Sequence, residues 1–170
     1  MAEPHLTLGT LLRHLLETLD GAVEQAYERA GLDYRPRYTP VVRVLIDAGS
    51  ASIRTISQRA GITHSAVSQT VSQMVDRGLV KLTAGADARE RIVALTPAAH
   101  ALIPTLEQHW AATNAAAEAL DAELSAPLSG VLAEALAALA RQPFSDRIAA
   151  AATPPPRKRP HPAKPEKSKV

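Results

Sequence analysis

Between residues 63 and 77 the chain carries small hydroxyls and amides at helical spacing. At about 100° per residue, Val67, Thr70, Val71, Met74 and Val75 fall on one side. Ser65, Gln69, Ser72 and Asp76 fall opposite, flanked by Ser68 and Gln73. Such a polar face matches the edges of bases in a major groove: a glutamine amide suits adenine, and a serine hydroxyl suits donors and acceptors alike. Arg54, Arg59 and Arg77 stand around it as candidate phosphate contacts, together with the backbone N–H groups of a helix start at Thr63. A polar face alone is also what an ordinary surface helix presents. The surrounding elements decide between the two.

Those elements are legible from periodicity and punctuation. Leu8, Leu11, Leu12, Leu15, Leu19, Val23 and Ala26 recur three and four residues apart, predicting a helix over residues 6–30 closed by Gly31. A loop follows over 32–38, where Pro36 opposes a helix. Thr39-Pro40 reads as a cap and a first-turn proline, opening a helix to Ala48 that Gly49 stops. Residues 50–52 read as a connector, and residues 54–60 as a short helix ending at Gly61. Ile56 and Ala60 face inward, Gly61 permits a tight turn, and Ile62 fills the gap between helices. Thr63 caps the next helix, 64–77, which Gly78 ends. Residues 79–83 and 91–95 are strand-like, and 84–89 form the turn between them. Thr96-Pro97 opens a long Ala-rich helix to about Glu123, with a kink or break expected at Pro104. A last helix spans 128–141, striped by Leu128, Val131, Leu132, Ala135, Leu136 and Leu139.

The predicted fold class is therefore mostly α (α+β). A winged helix-turn-helix lobe with a two-stranded wing occupies residues 35–96. Dimerisation helices occupy 1–34 and 97–148, because their leucine stripes need a partner. Residues 149–170, rich in Ala, Pro and Lys, have too little apolar area to offset ordering entropy and read as a disordered basic tail. That tail reads as a solubilising end, a non-specific DNA tether, or a localisation or degradation signal, with the auxiliary DNA contact favoured.

Charge follows the same division. The 170 residues sum to +2. Residues 1–34 and 92–156 carry −4 each, and residues 35–91 and 157–170 carry +5 each. Acidic arms around a basic lobe suit a polyphosphate partner. With no cysteine, disulfides, thiol nucleophiles, thiolate metal sites and thiol redox sensing are excluded. No apolar run approaches the roughly 20 residues of a membrane span, and the start of the chain lacks signal-peptide character. The expectation is a soluble protein of the cytoplasm, associated with the nucleoid.

Four motifs then stand in order. Residues 56–69 read Ile-Ser-Gln-Arg-Ala-Gly-Ile-Thr-His-Ser-Ala-Val-Ser-Gln. Residues 75–80 read Val-Asp-Arg-Gly-Leu-Val. Asp87-Ala88-Arg89 and Leu95-Thr96-Pro97 follow. In these the sequence resembles the MarR family of bacterial transcription regulators, over roughly residues 6–141. The resemblance implies a homodimer of winged lobes joined by intertwined first and last helices. It implies a recognition helix in the major groove of double-stranded DNA, which here presents His64, Ser65, Ser68, Gln69 and Gln73. It implies a wing arginine in the minor groove, Arg89, oriented by Asp87 and accompanied by Arg91. Many members are repressors released by a small aromatic or phenolic ligand. The family often has Arg where this chain has His64, Gln69 and Gln73, so this recognition helix is less basic.

An effector pocket would draw on Tyr34 and Tyr38, in the loop between the first two helices, and on Trp110. The tyrosines are equally readable as simple anchors, and Trp110 reads first as core or dimer-interface packing. The six histidines are scattered and make no metal pair, and no nucleophile elbow, dinucleotide loop or P-loop occurs. Neither a cofactor nor an enzymatic activity is expected. The leading reading is a sequence-specific regulator, a repressor relieved by a small ligand. The alternatives are a chromatin-associated protein without sequence preference, using lobe and tail together, and a protein–protein adaptor.

Overall fold

The computed structural model describes residues 6–85 and 90–152. The order of elements is α1 (Leu8–Arg29), a 3-10 turn (Pro36–Tyr38), α2 (Thr39–Ala48), β1 (Ser50–Ser52), α3 (Ile53–Ala60) and α4 (His64–Asp76). Then come β2 (Val80–Ala84), β3 (Arg91–Leu95), α5 (Pro97–Glu123), α6 (Leu128–Arg141) and α7 (Phe144–Ala152). The chain divides into two compact bodies, residues up to 117 and residues from 118 on.

The first body is built on a core that α2, α3, α4, the sheet and α5 share. Val41, Val42 and Leu45 of α2 are buried with Ile56 of α3 and Val67, Val71 and Met74 of α4. Val80, Val93 and Leu95 add the sheet, and Leu106 and Trp110 add α5. Burying a side chain of this kind is worth about 1.5–3 kcal/mol, so this cluster sets the angles among the helices. Tyr27, Tyr34 and Tyr38 extend it as an edge-to-face chain, with ring centroids 5.2 and 5.6 Å apart.

Three local details differ from expectation. Residues 50–52 are a strand rather than a connector. β1 pairs antiparallel with β3, giving a three-stranded sheet in the order β1-β3-β2 behind the two-stranded wing. Otherwise the β3 edge away from β2 would keep unpaired N–H and C=O groups. Thr39 is the first residue of α2 rather than its cap. Its backbone is already helical, and its hydroxyl instead accepts a hydrogen bond from Tyr34 Oη at 3.3 Å. α5 is one helix through Pro104, so of the kink or break allowed for there no break occurs.

Capping at Thr96 is as expected and does more. Its hydroxyl accepts from the N–H of Ala99 at 3.2 Å and donates to the carbonyl of Gly78 at 2.7 Å. One threonine thus starts α5 and holds the entrance to the sheet.

The second body holds the end of α5 with α6 and α7. Asp121 starts α6: one carboxylate oxygen accepts the N–H of Leu128 at 2.8 Å and the other accepts the hydroxyl of Ser129 at 2.6 Å. Those bonds hold the carboxyl below its ordinary range, the serine contributing most. α7 reaches Ala152, four residues into the stretch expected to lack structure; the rest of that stretch lies outside the described residues. No residue of α6 or α7 is buried. Among the described residues, no single helix is long and apolar enough to cross a membrane, and no group of three or more His, Asp or Glu could hold a metal ion.

Candidate nucleic-acid interface

The helix-turn-helix is held by short-range bonds. Ser52 caps α3 by accepting from the N–H of Thr55 at 3.2 Å. α3 ends at Gly61, whose φ of 67° and ψ of 26° lie in the left-handed region. Only glycine takes that conformation without a penalty of roughly 1–2 kcal/mol. Across this turn Ser57 Oγ donates to the carbonyl of Ile62 at 2.6 Å. Thr63 Oγ1 then accepts from the N–H of Ala66 at 3.3 Å and starts α4. Thirteen residues make α4 about 20 Å long.

Burial splits most of α4 as its sequence pattern predicts, although Val75, expected on the apolar side, is exposed. Val67, Val71 and Met74 are sealed in the core, while His64, Ser65, Gln69, Ser72 and Asp76 are exposed and Ser68 is half-buried. Gln73 departs from this. It is half-buried, and its Oε1 is sealed from solvent without a hydrogen-bond partner among the described residues. Of the expected base-facing set, His64, Ser65, Ser68 and Gln69 are presented together at the start and middle of the helix.

Arg54 is exposed at the start of α3. Arg59, at its end, reaches back to α2, where its Nη2 meets Asp47 Oδ2 at 3.1 Å. Arg77, just beyond α4, is paired with Asp33 in the loop after α1. Neither carboxylate partner is visible from local sequence, because the separations are 12 and 44 residues. In the wing, Arg91 is exposed and pairs across the ladder with Ala84, and the N–H of Gly85 donates to the carbonyl of Glu90 at 2.8 Å. Asp87 and Arg89 lie outside the described residues.

Two clefts open in the first body. The smaller, about 260 Å³, is lined by Leu16, Leu19, Val23, Tyr27 and Trp110, with Asp20 and Arg43 among its polar groups. The larger, about 750 Å³, takes in Asp47, Arg59, Glu107, Arg43 and Trp110. Arg43 belongs to both, its guanidinium 4.9 Å from the centre of the Trp110 ring, in cation–π range. Trp110 Nε1 is buried without a partner among the described residues. Burial lifts the Asp20 carboxyl above its ordinary range, and the nearby charge of Glu24 adds to this.

Of the three residues expected at a pocket, Trp110 lines both clefts, while Tyr34 and Tyr38 sit in the core as the anchors the sequence equally allows. Neither lines either cleft, because each ring is spent on the aromatic chain of the core. Burial pushes the Tyr34 phenol well above its ordinary range. Tyr27, not singled out by the sequence, takes the place at the cleft. Its position on the inward face of α1 was the available signal.

This arrangement is a capped helix-turn-helix with a polar face, followed by a hairpin. Residues 31–90 match the model of the MarR family. Over that segment the chain is similar to the MarR family. About four fifths of the chain shares its fold with solved transcriptional regulators. One is a MarR family transcriptional regulator from Silicibacter pomeroyi, 28% identical, TM-score 0.56, covering 78% of this chain and 94% of that one. A second is the Mycobacterium tuberculosis regulator MOSR, solved in complex with DNA: 20% identical, TM-score 0.61, covering 85% and 97%. A third is the PcaV regulator from Streptomyces coelicolor, solved with its natural ligand: 22% identical, TM-score 0.60, covering 84% and 99%. No curated protein is matched by sequence. The matched residues hold α2, β1, α3, α4 and β2, so the family match falls on the basic segment that carries the exposed face of α4.

Proposed function

We propose that this protein is a homodimeric transcriptional regulator that binds double-stranded DNA sequence-specifically and represses until a small ligand releases it. The observation that carries the DNA-binding part is the split of α4. A buried apolar side anchors the helix, His64, Ser65 and Gln69 stand exposed opposite, and Ser68 lies half-buried beside them. Gln69 and the serines contact base edges in the major groove. Arg54 and Arg59 hold phosphates, with the N–H groups at the start of α4 behind Thr63. Arg91 and the wing residues Asp87 and Arg89 approach the minor groove. Arg77 is spent on Asp33 and stiffens the exit of the helix.

Exposed leucines support the dimer. Leu8, Leu11, Leu12, Leu16 and Leu19 of α1 are open to solvent, as are Val131, Leu132, Leu136 and Leu139 of α6. Apolar stripes of this extent are seldom left uncovered, and a second copy covers them.

The smaller cleft supports ligand release. Its apolar and aromatic lining fits a small aromatic molecule, and Arg43 supplies a countercharge for an acidic group. Solved relatives with DNA and with a natural ligand accord with both halves of the proposal.

The test compares affinity for DNA upstream of the protein's own gene with affinity for random duplex of equal length, at fixed salt. A specificity ratio of about 10³ or more is expected. A ratio near one overturns the regulator reading in favour of binding without sequence preference. No binding to any duplex at low salt favours a protein–protein adaptor.

A further inference from the structure

Arg59 is assigned above to a DNA phosphate, yet in the free chain it is already engaged. Its Nη2 meets Asp47 Oδ2 at 3.1 Å, a single contact between side chains 43% and 70% exposed. Guanidinium offers five donors, and this pair uses one. An exposed ion pair of this kind is weak, because solvent screens both charges. A duplex presents one charge about every 1.7 Å, and a phosphate takes guanidinium in bidentate fashion. The balance therefore favours exchange when DNA arrives. Arg77 offers a contrast. It is only 28% exposed and links the end of α4 to the loop after α1, so releasing it would loosen the lobe.

We propose that Asp47 is a built-in competitor of DNA phosphate for Arg59. In the free protein Asp47 holds the arginine extended from α3 toward α2. On binding, phosphate displaces the carboxylate, and Asp47 returns to water. Asp47 is thus a positioning residue that lowers the lobe's affinity for any duplex and keeps Arg59 ordered between encounters. This inference rests on the reading of Arg59 as a phosphate contact.

The test is a double-mutant cycle on duplex affinity in the full-length protein, using Asp47→Asn, Arg59→Gln and both together. Asp47→Asn is expected to tighten binding about two- to fivefold, the fold-change equivalent of an exposed pair. In the Arg59→Gln background the same substitution is expected to change nothing. An equal gain in both backgrounds overturns the proposal, because Asp47 would then act only through bulk charge. So does no gain from Asp47→Asn while Arg59→Gln weakens binding. If Arg59→Gln leaves binding unchanged, the phosphate role of Arg59 falls and the competition falls with it. Thermal unfolding of each variant, expected to leave the midpoint near that of the parent because the pair is exposed, separates lost contacts from lost folding.

Discussion

The hydroxyl of Ser57 and the carbonyl of Ile62 are 2.6 Å apart across the turn between α3 and α4. This bond spans the left-handed Gly61 and ties the body of α3 to the residue that fills the gap between the helices. It sets how α4 leaves the turn, and so the direction in which its polar face is presented.

Ser57→Ala is therefore expected to cost about 1 kcal/mol of stability, the usual net value of one hydrogen bond. Duplex affinity should fall as well, because α4 is less firmly directed. Denaturant unfolding and a DNA titration on the same variant check both. Unchanged affinity with lowered stability would show that the bond holds the fold without directing the helix.

Arg43 lies against Trp110 where the two clefts meet, and Trp110 is the only tryptophan. A small aromatic acid such as benzoate is expected to change the tryptophan emission and weaken duplex binding. Arg43→Gln should weaken that ligand about 10- to 100-fold, the range of a lost hydrogen bond to a charged group. Fluorescence titration measures it. Equal ligand affinity in Arg43→Gln would remove the arginine from the site.

Asp20 gives a pH dependence of definite sign. Burial, followed by Glu24, raises its carboxyl in the fold above the ordinary value of 3.8. Folding thus favours the protonated form. Its contribution is fully present below pH 3.8 and is lost as pH rises through the raised value. Asp20→Asn, which imitates the protonated acid, should be the more stable protein at neutral pH. The advantage should vanish in acid. Melting curves across pH test this, and a less stable variant at pH 7 would reverse the sign.

At Asp121 the sign is opposite. The carboxylate that starts α6 is held below its ordinary value by Ser129 and by backbone N–H groups. The stabilisation is present above pH 3.8 and is lost as pH falls through the lowered value. Asp121→Ala should expose the first turn of α6 at neutral pH, read as faster amide exchange at Leu128 and Ser129. Unchanged protection there would mean that the turn does not depend on the carboxylate.

Leu136 is 69% exposed on α6, so Leu136→Glu leaves the isolated fold untouched. Sedimentation should show the dimer weakened or lost, with helical content kept. A variant that remains dimeric at micromolar concentration would place the interface elsewhere.

Much of this protein is determined by its sequence alone. Thr63 at the start of α4, glycines at 31, 49, 61 and 78, and the apolar side of α4 are local signals. Each acts through backbone conformation or helical periodicity within a few residues. The helix-turn-helix and both strands of the wing are legible for that reason, and the helix expected over 128–141 is observed as α6. α7 is missed because its nine residues bury nothing and so carry no core stripe.

Only the tertiary structure decides the rest. Residues 50–52 become a strand because β3 offers an open edge, and three residues are too few to show a period. Tyr34 and Tyr38 enter the core rather than a cleft because the rings of Tyr27 and its neighbours complete an edge-to-face chain. Gln73 turns inward although it stands beside the polar face. Asp33 finds Arg77, and Asp47 finds Arg59, only after the helices pack. Local signals act through the chain's own bonds, whereas partners far apart in sequence meet only where burial of the common core brings them together.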